Sequence, residues 1–209
     1  ALGQWGRGYS DLALLIEDAL NDGVDVITTS SSYPNNYEGM RWALARAIAS
    51  KVPVVASVGN ESTSNSTDWL PAWGGVVGVG AIETNGRPSD YENWGRPLST
   101  AALARPLARS GVSQQRGEWW GTSFAAPVVA GSLALSMQRW PNATGNQIMQ
   151  GLARTGVGGN GGEWNQYTGY GALDIYAMLT TNPMTFPDEN PFMDKGTMTV
   201  PSRKDVQDY

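Results

Sequence analysis

The sequence has 209 residues, of which 41% are hydrophobic and 16% charged, and its formal net charge is −5. This balance is typical of a folded globular protein, and nothing in it suggests nucleic-acid binding. The length suffices for one sizeable domain. No apolar run reaches the ~18 residues that a membrane-spanning helix needs. The absence of cysteine excludes disulfides and thiolate metal sites.

Helix and strand patterns alternate through the first part of the chain. Apolar residues at helical spacing predict two helices, and short β-branched runs predict three strands. The predicted helices span 11–22 and 37–50, and the predicted strands span 24–30, 54–58 and 76–82. Alternation of this kind predicts an α/β fold with a mostly parallel sheet.

The second half of the chain is less regular. Residues 83–118 are polar and rich in turn formers, which predicts loops and short antiparallel strands. A helix predicted over 123–140 is apolar nearly all round, so we expect it in the centre of the domain. Pro127 falls in its first turn, where a missing N–H costs little. Residues 181–209 contain four prolines and little periodicity. We therefore predict a domain over 1–180 and a tail or arm over 181–209 that lies outside the core.

One run of the sequence carries the chemistry. Residues 121–131 read Gly-Thr-Ser-Phe-Ala-Ala-Pro-Val-Val-Ala-Gly, with Ser123 at a predicted helix start. Backbone N–H groups at a helix start stabilise an oxyanion, and Gly121 lets a substrate backbone come close. A serine hydroxyl also needs a base to remove its proton. The sequence contains no histidine, so this chain cannot itself supply the usual base.

This run resembles the active-site serine segment of the subtilisin-like serine proteases, the subtilases. Four further segments resemble this family in its order along the chain: the substrate-pairing strand (26–34), the oxyanion segment (57–61), a core strand (77–81) and a Gly-x-Gly turn (169–174). The resemblance covers about the C-terminal two thirds of a subtilase catalytic domain. It implies a three-layer α/β fold with a mostly parallel central sheet, completed by an N-terminal fragment.

The resemblance also implies a set of site residues. Ser123 corresponds to the nucleophile and Asn60 to the side chain that stabilises the oxyanion. The implied substrate-binding residues are Ser30, Ser31, Ser32, Ser57, Val58, Gly59, Gly121 and Thr122. The family has glycine just after the first serine of the substrate strand, where this chain has Ser32 and Tyr33. The resemblance therefore does not define the shape of the substrate pocket beside this strand.

Two other features have weaker functional interpretations. Many subtilases bind calcium, and Glu83, Asp90 and Glu92 lie where some members place a weak site, but acidic residues in a surface loop are more often only solvated. No metal site is assigned, and the cofactor stays open. Trp119 and Trp120 precede the nucleophile segment, and packing beneath the loop is favoured over lining the cleft.

In this family an Asp and then a His precede the nucleophile, in a portion with no counterpart here. Three explanations compete: a precursor cut into two associated fragments, a degenerate subtilase retained as a binding or structural subunit, and the ordered part of a longer chain. The start at Ala1 and the intact Ser123 and Asn60 favour the first. The expected function is then a secreted, autoprocessed endopeptidase. Its partners are a protein or peptide substrate and an N-terminal fragment carrying Asp and His.

Overall fold

A computed structural model of the chain describes residues 11–31, 38–65, 69–105, 107–109, 116–158, 163–195 and 200–209. The helices are α1 (Asp11–Asn21), α2 (Glu38–Ala49), α3 (Thr122–Arg139), α4 (Gly145–Thr155), α5 (Ile175–Thr180) and α6 (Arg203–Asp208). The strands are β1 (Ile27–Thr29), β2 (Val54–Ser57), β3 (Val77–Ile82), β4 (Thr100–Leu103), β5 (Leu107–Arg109) and β6 (Arg116–Glu118). None of the helices in these ranges is long and apolar enough to cross a membrane.

The central sheet has the order β1-β2-β3-β4, and all its strands are parallel. Helices cover both of its faces: all residues of β2 are buried, and successive residues pack in different clusters. Val55 packs in a cluster with α3 and α4, whereas Val54 and Ala56 pack in a second cluster with α1 and α2. Successive strand residues point to opposite faces, so these two clusters lie on opposite sides of the sheet. The predicted three-layer α/β fold is confirmed.

The prediction of loops and antiparallel strands over 83–118 is partly wrong. Leu107–Arg109 and Arg116–Glu118 do form an antiparallel pair. Thr100–Leu103, however, forms the fourth parallel strand of the main sheet. Ala101 and Ala102 are buried there although alanine has low strand propensity. Neighbouring strand β3 and the backbone around Gly171 supply the hydrogen bonds of this strand, and neither is visible in local sequence.

Helix α3 differs from its prediction in one important respect. One face packs against the sheet through Ala125, Val129 and Leu133. The opposite face is exposed and largely apolar: Pro127, Gly131, Ala134, Leu135 and Gln138. Leu135 alone is 49% exposed. The expectation of a helix buried all round is therefore wrong for the described residues, and Pro127 lies beyond the first turn of a helix that begins at Thr122.

The C-terminal segment is part of the folded body. Phe192 is 2% exposed and belongs to the core cluster that contains α3. Asn190 Nδ2 donates to the Gly75 carbonyl at 3.0 Å. Lys195 Nζ donates to the carbonyls of Pro71 and Pro97, each at 2.9 Å, and burial lowers the pKa of this amine well below its usual value. The expectation that 181–209 lies outside the core is wrong, while a domain boundary near residue 180 stays a prediction.

Candidate active site

The nucleophile candidate lies where two parallel strands end. Thr29 of β1 and Ala56 of β2 are paired in register, so the residues that follow both strands meet at one edge of the sheet. Ser123 is half-buried and is the second residue of α3, which begins at this edge. Its N–H belongs to the first turn, whose amides have no partner within a helix. An anionic oxygen would therefore find a free donor here.

Pro127 explains the contact between Ser30 and the nucleophile residue. Proline has no N–H, so the Ser123 carbonyl lacks its normal donor four residues ahead in the helix. The Ser30 hydroxyl donates to that carbonyl at 2.8 Å. Ser30 thus connects the end of β1 to the nucleophile residue. This contact is formed within the protein and differs from the predicted contact with substrate.

Asn60 is tied to the residue that precedes the nucleophile. Its Oδ1 accepts hydrogen bonds from the Thr122 N–H at 2.8 Å and from the Thr122 hydroxyl at 3.1 Å. The Thr122 hydroxyl oxygen in turn accepts from the Gly59 N–H at 3.2 Å. With the oxygen of the amide engaged in this way, its NH₂ group is the part left to donate elsewhere. The structure brings the two predicted catalytic residues together.

Two glycines are required by the backbone at this junction. Gly59 has φ +103° and Gly121 has φ +124°, both in the region that side chains disfavour. A Cβ at Gly59 would also lie 2.5 Å from Asn93 Nδ2 and from Glu61 Oε2. These glycines therefore allow the backbone conformation of the loop and of the helix start. Their contact with substrate stays a prediction.

The other predicted substrate residues are distributed unevenly. Ser57 and Val58 are 1% and 0% exposed and continue the buried strand β2. Ser31 is half-buried beside β1, and its N–H donates to Thr29 Oγ1 at 3.1 Å. Ser32 lies outside the described residues. For Ser31, Ser57 and Val58, a role in substrate binding stays a prediction.

An exposed aromatic surface directly precedes the nucleophile helix. Trp119 and Trp120 are 42% and 61% exposed, so the expectation that they pack beneath the loop is wrong. Trp120 contacts the Tyr91 ring, with centroids 5.1 Å apart, and Trp119 lies 6.0 Å from Phe124. The Gly121 N–H donates to the Tyr91 hydroxyl at 3.2 Å. The position of Trp119 and Trp120 directly before the nucleophile segment is the sequence signal for this surface.

The acidic residues considered for calcium do not converge. Glu83 pairs with Arg105 and accepts from Ser89. Glu92 is 3% exposed, and its Oε2 accepts from the Ala81 N–H at 2.6 Å. Burial raises the pKa of Glu92 to about 8, against the opposing effect of that hydrogen bond. Among the described residues, no group of three or more potential ligands is arranged to hold a metal ion.

Comparison with known proteins identifies the family of this chain. A sequence model of the Subtilase family matches residues 3–171. This chain belongs to the subtilase family. Subtilisin DY from Bacillus licheniformis is 31% identical over 172 residues, which are 81% of this chain and 62% of that protein. The subtilase chain thus spans about three fifths of that relative and less of others, such as subtilisin E from Bacillus subtilis strain 168, of which it covers 44%.

Solved structures place the subtilase chain in the same fold. MycP1 with its N-terminal propeptide removed has a TM-score of 0.71 and 25% identity, over 85% of this chain and 68% of that one. The self-cleaved protease domain of PatA also has a TM-score of 0.71 and 25% identity, over 81% of this chain and 66% of that one. Both structures extend beyond the part that matches this subtilase.

Proposed function

We propose that this chain is the nucleophile-bearing part of a subtilisin-like serine endopeptidase. The observation that carries the proposal is the pair of hydrogen bonds from Thr122 to Asn60 Oδ1, which holds the Asn60 amide at the start of the nucleophile helix. Two donors, the Asn60 NH₂ group and the Ser123 N–H, then serve the same oxyanion. This arrangement suits acyl transfer to a serine oxygen.

The reaction follows from these groups and from a base supplied by another portion of polypeptide. Ser123 Oγ attacks the peptide carbonyl while a His takes its proton, and an Asp orients that His. The carbonyl oxygen becomes an oxyanion, and Asn60 and the Ser123 N–H stabilise it. The C–N bond then breaks, and the amine leaves with the proton from His. Water, activated by the same His, hydrolyses the acyl-enzyme and restores Ser123.

Three structural features support an additional polypeptide that bears the His and the Asp. Within the described residues, β1 pairs with β2 on one side only, so its other edge is available to a further strand. The exposed apolar face of α3 leaves Leu135 half-exposed. A cavity of about 560 Å³ borders the same helix at Ala134, Met137 and Gln138. An unpaired strand edge and exposed apolar residues on a helix are features that a further polypeptide could cover.

The origin of that polypeptide is a second part of the proposal. A cut in an exposed loop leaves the non-covalent contacts of a domain intact, so two fragments of one precursor can remain associated. The similarity to a PatA domain described as self-cleaved supports autoprocessing as the origin of the cut. A secreted location is proposed on the resemblance to subtilisins alone.

A catalytically inactive binding or structural subunit is the alternative. It is favoured by one observation, the absence of histidine from this sequence. Fold similarity alone does not decide between the two, because a subtilase fold can persist without catalysis. The decisive feature is what lies next to the Ser123 hydroxyl in the native assembly, either a His supplied by another portion or apolar residues that fill the space.

Denaturing mass spectrometry of the native material, before and after a fluorophosphonate probe, tests the proposal. We expect a His- and Asp-bearing portion to accompany the 22.3 kDa chain, or to be joined to it, and the probe mass to localise to Ser123. A single 22.3 kDa species that never takes the probe would overturn the proposal and support the inactive subunit. A probe on another residue would assign the chemistry elsewhere.

The exposed aromatic surface predicts a preference for substrates with an aromatic side chain near the scissile bond. We expect Trp120→Ala in the complete enzyme to raise KM about tenfold for a fluorogenic peptide with Phe beside that bond, with kcat little changed, because ring contact is made equally in ground and transition states. A matched peptide with Ser at the same position should change less than about twofold. Tyr176→Ala is the control, since Tyr176 is 78% exposed on α5. Equal effects on both peptides would contradict the prediction.

A further inference from the structure

Asn93 connects the two sides of the loop that carries Asn60. It is 0% exposed and lies 33 residues further along the chain, in a segment that runs beside the loop. Its backbone N–H donates to the Gly59 carbonyl at 3.2 Å, and its Nδ2 donates to the Val58 carbonyl at 3.1 Å. Both of these bonds hold the backbone just before Asn60.

The remaining bonds of the Asn93 side chain hold the backbone just after Asn60. Its Oδ1 accepts from the Glu61 N–H at 3.1 Å and from the Thr63 N–H at 3.2 Å. Its Nδ2 also donates to Glu61 Oε2 at 2.5 Å. One buried amide thus uses its donors and its acceptor on both flanks of a single residue, Asn60.

Asn60 itself is the only residue between the two flanks. The flanks fix its Cα position, and the Thr122 bonds to Oδ1 fix the orientation of its amide. We propose that Asn93, together with its partner Glu61, is the positioning residue for the oxyanion donor Asn60. This inference rests on the proposed endopeptidase function for its kinetic consequence, but the positioning itself is independent of activity. A positioned donor matters because small displacements at an oxyanion site are costly in rate.

Asn93→Asp is the most specific test, because it keeps the size of the side chain and its acceptor oxygen but removes its NH₂ donor. The new carboxylate cannot donate to the Val58 carbonyl and repels the Glu61 carboxylate. In the double variant Asn93→Asp with Glu61→Gln, the side chain at position 61 donates to the one at position 93, and the hydrogen bond between them is restored with reversed direction. Asn165→Asp is the matched control, since Asn165 Oδ1 also accepts from two loop amides, those of Tyr167 and Thr168, in a different loop.

The first measurement needs no catalytic activity. Amide hydrogen exchange of the Thr122 N–H, followed by NMR on the complete protein, reports the bond to Asn60 Oδ1. We expect Asn93→Asp to accelerate this exchange at least tenfold through local opening and Asn165→Asp to leave it unchanged. The double variant should recover part of the protection, because the bond to the Val58 carbonyl stays lost. Exchange within about twofold of the wild type in Asn93→Asp would overturn the proposal.

The second measurement is the rate of fluorophosphonate labelling at Ser123 in the complete enzyme. We expect Asn93→Asp to lower the maximal labelling rate about ten- to a hundredfold with the half-saturating probe concentration nearly constant, because the oxyanion donor acts in the transition state. Should Asn93→Asp fail to fold, Glu61→Ala removes an exposed partner of Asn93 and should lower the rate roughly three- to tenfold. A rate unchanged in both variants overturns the proposal, whereas a wild type that never labels refutes the endopeptidase function and leaves the exchange measurement to decide.

Discussion

Replacement of Ser123 by Ala should abolish acyl transfer in the complete enzyme, meaning this chain together with the His- and Asp-bearing portion. The nucleophilic oxygen is lost, while the oxyanion donors and the substrate surface stay in place. Subtilisin itself loses about 2 × 10⁶ in kcat when its nucleophile is removed, and we expect a loss of the same order here. Fluorophosphonate labelling and hydrolysis of a fluorogenic peptide should both fall to background.

Ser132 provides the matched control for that experiment. It lies on the same helix, is buried, and donates only to the Val128 carbonyl one turn back. Ser132→Ala should therefore retain labelling within about twofold of the wild type. Loss of labelling in both variants would point to a damaged helix rather than a missing nucleophile. Persistent labelling of Ser123→Ala would assign the reaction to another residue.

The sequence was sufficient to predict the nucleophile helix and, through the family resemblance, its partner Asn60. The run around Ser123 combines small residues, a preceding glycine and a long apolar helix, and each of these serves a local requirement. The resemblance then pointed to Asn60, and the structure places its amide against Thr122. Local pattern predicts the helix because its determinants lie within a few residues of one another. Asn60 lies 62 residues before Thr122, and only the family resemblance indicated it.

The features that escaped prediction depend on residues distant in the chain. Asn93 contacts the loop at 58–63 across roughly thirty residues, and neither segment alone has a pattern that signals the contact. Lys195 reaches the carbonyls of Pro71 and Pro97 across 124 and 98 residues. The exposed face of α3 was missed for the opposite reason. An apolar face normally predicts burial, whereas Pro127, Ala134 and Leu135 on this face are exposed.

Glu92 should make the stability of the protein fall as the pH rises from acid to alkaline. Its burial raises the pKa from 4.5 to about 8. The folded protein then binds one proton more than the unfolded chain between these two values. The contribution of protonated Glu92 to the free energy of unfolding is fully present below pH 4.5 and is lost as the pH rises to about 8. The difference corresponds to roughly 4–5 kcal/mol in the free energy of unfolding.

Glu92→Gln tests this directly, because glutamine has the shape of the protonated acid and cannot ionise. The variant should match the wild type near pH 4, and should exceed it by several kcal/mol near pH 9, when urea unfolding of the complete protein is compared at both pH values. Glu189→Gln, at an exposed carboxylate, controls for the loss of charge alone. A difference between Glu92→Gln and wild type that stays constant with pH would contradict a raised pKa of Glu92 in the folded protein. Because Asn93 is the next residue, the same ionisation acts on the backbone that holds the oxyanion loop, and Glu92→Gln should also preserve protection of the Thr122 amide at high pH.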